Sequence, residues 1–380
     1  MSDVFLHPLD STKKIKTMNS VKFWRDFPEQ CEDALRRAQK LEIPKKLQIS
    51  SKLVLDYGKP SEVLVVGVGG SAIGGDILKD WTSETLDVPL EVCRDYHLPH
   101  YAGVESLVIA VSYSGNTEET LSSFIDAVKR GCKVIAVTSG GVLGKLCNGF
   151  KIPMVELPGG MVPRSAIGYL FFPLVMILEK FDLIGDVEED IKETMMILRE
   201  VRDEILPEIS ITANRSKQLA AALFGSIPVI YGDRYSRAIA YRSRTQMNEN
   251  SKLLAISGFL SEIDHNDVLG WEAPEEYSKQ FSVVLLRTGD DMEELRYRAE
   301  ITRDLVAEKA RRLVEVFPKG ESRLTKMLSV MYVVDVASLY LAIMNEVDPW
   351  SMRSITELKS RLSKQTKTMD SIKKEAEDLL

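Results

Sequence analysis

Cysteine is scarce in this sequence: Cys31, Cys93, Cys132 and Cys147 are the only four in 380 residues. None stands in C-x-x-C and none lies beside a histidine. Neither a metal site nor a disulfide framework is expected, and the thiols read as the reduced side chains of a cytoplasmic protein. An excess of basic charge is also missing. The net charge of −7 argues against a nucleic-acid surface, while leaving room for a local basic pocket that takes a small anion. No basic-then-apolar leader follows Met1-Ser2-Asp3-Val4. The longest apolar run, 166–178, is interrupted by Pro173 and is too short to cross a bilayer. What remains is ordinary globular composition, 44% hydrophobic and 28% charged, and a length that suits about two domains.

The most distinctive stretch runs from Val65 to Asp76. An apolar strand pattern at 63–66 gives way to Gly67, Gly69 and Gly70, then to Ser71 and an apolar-periodic helix from Ile73 to Trp81. A glycine-rich turn between strand and helix aims backbone N–H groups at one point, with the positive end of the helix dipole behind them, so the point favours an anion. Two chemistries use this device. Gly67, Gly69 and Ala72 fit the dinucleotide turn G-x-G-x-x-G/A, with Asp95 where a ribose-binding acid belongs. Ser71 fits instead a phosphate pocket built with hydroxyls.

Strand-like runs at 63–67, 90–94, 106–112, 133–138 and 152–157 alternate with helical stretches near 73–82 and 117–130. Alternation of this kind predicts β-α-β units, a parallel sheet with helices on both faces, and a ligand beyond the carboxyl ends of the strands. A helix is expected over 165–181 and an acidic helical bridge over 186–206. The pattern then restarts, with strands at 227–231, 253–256, 283–287 and 314–317 and helices near 236–252, 291–312 and 321–346. The expected fold is therefore α/β, two doubly wound parallel-sheet domains in tandem. Residues 1–48 read as a polar arm and an amphipathic helix over 24–41, 49–185 as the first domain, 186–214 as a helical linker, 215–350 as the second domain. Residues 351–380 read as one long helix, whose a/d stripe Ile355, Leu358, Leu362, Met369, Ile372, Ala376 and Leu379 packs on the chain's own body or on another subunit.

A second loop bears on the ligand. Ser112-Tyr113-Ser114-Gly115-Asn116-Thr117 follows the third strand and opens a helix. Helix capping accounts for one of its hydroxyls but poorly for three. With Ser71 they form a set of neutral donors suited to a phosphate monoester. A serine-rich third turn is foreign to the dinucleotide fingerprint, and no G-K-[ST] follows the glycines, which excludes a Walker-type site.

Together the two loops resemble the sugar isomerase (SIS) domain, a phosphosugar-binding module. Further along, Pro163-Arg164-Ser165-Ala166, Asn248-Glu249-Asn250-Ser251-Lys252, His265-Asn266-Asp267 with Gly270-Trp271, and Ile355-x-x-Leu358-Lys359 resemble the bifunctional phosphoglucose/phosphomannose isomerases. The resemblance implies phosphate binding by Gly70, Ser71, Ser112, Ser114 and Thr117. It implies catalysis by Glu249 as base, Arg164 beside the enediolate, and His265 and Lys359 in ring opening. It implies no metal and no cofactor, and a homodimer in which His265 serves the neighbouring subunit's site. The expected reaction converts glucose 6-phosphate, and mannose 6-phosphate, to fructose 6-phosphate through a cis-enediol. An isomerase of an amino-sugar or pentose phosphate and a non-catalytic sugar-phosphate regulator are the alternatives. Lys359 adjoins Leu358 of the apolar stripe and is expected to be partly shielded. The chain runs 21 residues beyond Lys359, further than the resemblance predicts.

Overall fold

The computed structural model describes residues 7–19, 22–289 and 292–379. The chain forms two compact units, one of Glu29–Asp186 with Met352–Leu380, the other of Met1–Pro28 with Val187–Ser351.

In the first of these, a short antiparallel hairpin, β1 (Lys46–Ser50) and β2 (Leu53–Asp56), precedes a five-stranded parallel sheet. The sheet strands are β3 (Glu62–Val66), β4 (Leu90–Cys93), β5 (Ser106–Ser112), β6 (Lys133–Thr138) and β7 (Met154–Glu156), in the order β4-β3-β5-β6-β7. Every residue of β5 and β6 is buried, as befits central strands covered on both faces. Helices Gly70–Trp81, Glu118–Lys129 and Gly141–Phe150 follow β3, β5 and β6. The strand order reverses between β3 and β5, so their loops diverge and leave a crevice there.

The helix after β3 starts at Gly70, three residues before the expected apolar periodicity. Its interior glycines are set by packing. A Cβ on Gly74 would lie 2.4 Å from the Leu170 carbonyl oxygen, so only glycine lets this helix approach the helix Ile167–Lys180 so closely.

The C-terminal segment is helical but broken at Thr366 and Lys367 into Arg353–Gln365 and Thr368–Leu379. The apolar stripe divides with it. Ile372 and Ala376 are buried where the last helix packs on the helix Glu118–Lys129, and Lys129 Nζ reaches Glu375 at 2.6 Å. The helix Arg353–Gln365 has no buried residue, and Leu358 is 63% exposed. Lys359 is accordingly exposed rather than shielded, because the stripe beside it is itself uncovered.

The other unit carries four parallel strands, β8 (Ile227–Gly232), β9 (Ile256–Phe259), β10 (Phe281–Leu286) and β11 (Arg312–Val316), in the order β11-β10-β8-β9. This is the order of β6-β5-β3-β4, so the expected structural repeat is present at the level of topology. Val229, Tyr231, Leu260, Ile263, Trp271, Val283 and Leu285 form one core cluster with Ala299 and Val306 of the helix Glu293–Ala307. The helix Arg323–Met344 packs against Glu188–Glu204, Arg215–Leu223 and Arg237–Asn250. It is long and apolar enough to cross a membrane, yet 89% of its most apolar window is buried inside the protein, as in a core helix.

Several sequence expectations change here. The helix Glu188–Glu204, read as a bridge, packs as part of this unit. Of the expected N-terminal arm, residues 1–6 lie outside the described residues. The rest folds as Pro8–Asp10 and Thr12–Asn19, with Leu9 and Met18 buried and Lys217 Nζ, itself fully buried, 2.6 Å from Asp10. The 24–41 stretch is two helices, Lys22–Arg25 and Phe27–Gln39. Pro28 sits in the first turn of the second, where its missing N–H has no helical partner to lose. β9 begins where its strand was expected to end, since Lys252 takes a positive φ of 54° and Leu254 is left 80% exposed.

Candidate active site

Three helices begin at the carboxyl ends of β3, β5 and β6, and none of them is capped by a side chain. Thr117 occupies the cap position of the Glu118–Lys129 helix without bonding its first turn; the Ser112 hydroxyl donates to Thr117 Oγ1 at 3.1 Å instead. Capping is therefore not what these hydroxyls do. Ser71 is buried, and its Oγ accepts the Tyr113 N–H at 3.2 Å, tying the β3 turn to the β5 turn across the crevice. Ser112 is fully buried, Thr117 partly, and Ser114 is exposed with its Oγ accepting from the Asn116 N–H at 3.3 Å.

Close backbone approach shapes the crevice. A Cβ on Gly115 (φ 66°) would lie 1.8 Å from the Gly140 carbonyl oxygen, and one on Gly141 (φ 67°) 2.3 Å from the Ser114 carbonyl. The β5 and β6 turns are thus pressed together at two glycines. The Asn116 side chain accepts the Val142 N–H at 3.1 Å and the Ser139 hydroxyl donates to the Tyr113 carbonyl at 2.6 Å, closing the same seam. Gly115→Ala is expected to force this seam open. It should lower the unfolding midpoint by at least about 2–4 °C and weaken binding of a phosphate monoester at least about tenfold. Thermal melts and calorimetric titration check both.

Arg164 sits in the short 3-10 helix Pro163–Ser165 and is buried, 3% exposed. Its place is fixed from three sides. A Cβ on Gly70 would meet the Pro163 and Arg164 backbone at 2.9–3.1 Å, so the first turn of the helix after β3 rests on it. The Gln30 amide donates to the Ser165 carbonyl at 3.0 Å and accepts the Gly168 N–H at 2.8 Å. The Tyr113 hydroxyl donates to the Pro158 carbonyl at 2.6 Å and accepts the Met161 N–H at 3.1 Å, holding the loop that leads into Arg164. Burial raises the Tyr113 phenol above its ordinary pKa, so it works as a neutral hydrogen-bonding post. Gly70, Ser71, Ser112, Thr117 and Arg164 thus form one connected constellation, with Ser114 on its exposed side. Three hydroxyls and the dipoles of three helices around one crevice suit a dianionic phosphate, and the Arg164 backbone borders the first of those helices.

Sequence reasoning passed over Tyr113 and Gln30. The first could be found as the one bulky side chain among small residues of the hydroxyl loop. The second acts through a contact 135 residues away and left no local signal.

Of the remaining predicted residues, Lys359 lies in this unit, exposed on the Arg353–Gln365 helix. Glu249 and His265 belong to the other unit. Glu249 is partly buried in the last turn of the helix Arg237–Asn250, and its carbonyl accepts from Lys252 Nζ. His265 ends the 3-10 turn Glu262–His265 and is exposed. That turn is nonetheless anchored. Ile263 is in the core, Asp264 accepts from Thr302 Oγ1 at 2.8 Å and Arg298 Nη1 at 3.2 Å, and buried Trp271 donates to the Tyr231 hydroxyl at 3.1 Å. An exposed imidazole on a fixed turn is available to a ligand without the cost of ordering its backbone.

The four thiols are buried and shifted by burial away from thiolate formation, Cys93 and Cys132 to about 11 and Cys147 to about 12. None is an activated nucleophile.

Residues 212–362 match the bacterial phospho-glucose isomerase C-terminal SIS domain. Over 339 residues the chain is 38% identical to a bifunctional phosphoglucose/phosphomannose isomerase of Caldicellulosiruptor bescii, covering 89% of this chain and 97% of the relative. The chain belongs to this isomerase family. Its curated relatives also include a D-glucosamine-6-phosphate 4-epimerase of Sulfolobus acidocaldarius, 28% identical over 307 residues that cover 79% of this chain and 89% of the relative. In three dimensions the chain is similar to a glucose-6-phosphate isomerase like protein of Thermus thermophilus, with a TM-score of 0.57, 18% identity, and coverage of 90% and 98% of the two chains. At that identity the likeness speaks for the SIS fold alone.

Proposed function

We propose that this protein is an aldose–ketose isomerase that interconverts glucose 6-phosphate, and mannose 6-phosphate, with fructose 6-phosphate. The observation that carries the reading is the crevice of Gly70, Ser71, Ser112 and Thr117 with buried Arg164, in a chain of the phosphoglucose/phosphomannose isomerase family. Gly70, Ser71, Ser112, Ser114 and Thr117 hold the phosphate. Glu249 removes the C2 proton and returns it at C1, and Arg164 stabilises the enediolate charge that develops between the two steps. His265 and Lys359 act as the acid/base pair that opens the sugar ring. The working form is a homodimer whose His265 serves the partner's site, and the compartment is the cytoplasm, where the product enters glycolysis or gluconeogenesis. Exposure of His265 on an anchored turn supports a role towards a ligand or a neighbouring chain.

The test is a coupled assay across hexose, amino-sugar and pentose phosphates. Turnover of glucose 6-phosphate and mannose 6-phosphate, with solvent hydrogen entering at C1 of the fructose 6-phosphate formed, is expected. Preference for an amino-sugar phosphate would favour the chemistry named for the Sulfolobus relative. Binding without turnover of any of them would leave a sugar-phosphate sensor.

A further inference from the structure

In the second sheet the place topologically equivalent to the first crevice holds a buried, hydrogen-bonded carboxylate. β8, β9, β10 and β11 repeat the order of β3, β4, β5 and β6, so the strand order reverses between β8 and β10 as it does between β3 and β5. The turns also correspond. β3 leads through Val66 into Gly67 and, four residues on, Ser71; β8 leads through Tyr231 into Gly232 and, four residues on, Ser236. Both glycines are required by close backbone, that of the neighbouring strand β5 at Gly67 and that of the returning turn at Gly232. A Cβ would lie 2.9 Å from the Val111 carbonyl oxygen at Gly67 and 2.5 Å from the Ser236 carbonyl oxygen at Gly232. Register pairs Val66 with Ala110 and Tyr231 with Leu285. Three residues further, Tyr113 matches Thr288. In the first crevice the Tyr113 N–H donates across to Ser71; in the second the Thr288 N–H donates across at 2.6 Å to Asp233.

Asp233 is fully buried, and its carboxylate collects five donors. Oδ1 accepts the N–H of Tyr235 at 3.2 Å, the N–H of Ser236 at 3.0 Å and the Ser236 hydroxyl at 2.6 Å. Oδ2 accepts the N–H and the hydroxyl of Thr288, at 2.6 and 2.8 Å. Backbone N–H groups and hydroxyls from two opposed turns, at the mouth of the helix Arg237–Asn250, are the donor set that the first crevice offers a phosphate. In the first crevice the residue after the strand-end glycine is Val68, which brings no charge; in the second it is Asp233.

We propose that the Asp233 carboxylate is a built-in anion that occupies the second domain's counterpart of the phosphate site. The repeat keeps its oxyanion cradle but supplies the anion itself. The chain therefore has one crevice open to phosphosugar, and the other serves as an internal clamp between the β8 and β10 turns. A latent site for a small carboxylate or other oxyanion lies beneath that side chain.

The test removes the carboxylate and returns an anion from solution. Asp233→Ala is expected to melt below the parent protein in chloride, and sodium formate at equal ionic strength should raise its midpoint by at least about 2–4 °C. The parent should shift by less than half as much. Formate is chosen because a carboxylate probe reads the Asp233 cradle directly, whether or not the first crevice binds sugar phosphate. Asp233→Asn keeps the volume and is expected to be destabilised but indifferent to formate, since its amide still fills the space. Equal formate responses in the parent and the Ala variant would overturn the proposal. So would an Asn variant that responds as strongly as Ala. If the Ala variant does not accumulate, its refolding yield in formate against chloride gives the same reading, and equal yields overturn it.

Discussion

Glu249→Gln is expected to lower kcat for isomerisation by about 10²–10⁴-fold while leaving the KM within a few-fold of the parent. The substitution keeps the shape of a partly buried side chain in the last turn of the helix Arg237–Asn250 and removes only its capacity to take a proton. The phosphate contacts proposed for the other unit are untouched, so binding should persist. Initial rates across a range of glucose 6-phosphate concentrations measure both quantities, and solvent hydrogen at C1 of the fructose 6-phosphate formed reports the proton transfer. Turnover above a few per cent of the parent's would remove Glu249 as the base. The same variant tests the proposed dimer. Mixed with His265→Ala under conditions that exchange subunits, it should regain activity, because one site of each heterodimer then combines an intact Glu249 with an intact His265. Two inactive variants that stay inactive when mixed would argue for His265 acting within its own chain.

Arg242→Met is expected to lower stability by about 3–5 kcal/mol. At 2–4 °C per kcal/mol for a unit of this size, the unfolding midpoint should fall by about 6–20 °C. Arg242 is 2% exposed, and its Nε and Nη2 both donate to Asp335 Oδ2, at 3.0 and 2.7 Å. Asp335 sits in the middle of the core helix Arg323–Met344. Burial pushes its carboxyl above the ordinary carboxylate pKa, and Arg242 acts against that shift. Without the guanidinium a buried carboxyl must stay charged and unpaired or take a proton, and either is costly. The cost of losing one partner exceeds the net worth of the pair, so Arg242→Met with Asp335→Leu is expected to recover most of the loss. A double variant no more stable than the single one would show that the pair acts through a larger polar network. Since Arg242 lies on the helix that carries Glu249, the single variant should also lower kcat, by loosening the seat of the proposed base.

The sequence alone was enough for the class of the fold. Runs such as Val108 to Val111 and Val134 to Val137 have no polar face, which only a parallel sheet covered on both sides can use, and the helical spacing between them supplies the cover. It was also enough to place the glycine, serine and threonine of 67–71 and 112–117 at strand-to-helix turns, since these residues act through local backbone geometry. Local pattern carried less where contacts are distant. The stripe from Ile355 to Leu379 read as one helix with one partner, but Ile372 and Ala376 have a helix to cover them and Leu358 has none. Gln30 and Tyr113 hold the Arg164 loop through bonds that no nearby residue announces. The second domain shows the difference most clearly. From sequence it was a restart of the alternation of strands and helices. Folding brings Asp233 and Thr288, 55 residues apart, to hydrogen-bonding distance and so ties the β8 turn to the β10 turn. Periodicity and turn chemistry are local properties and can be read from the chain; which charge meets which donor is decided by packing, and only the tertiary structure holds that information.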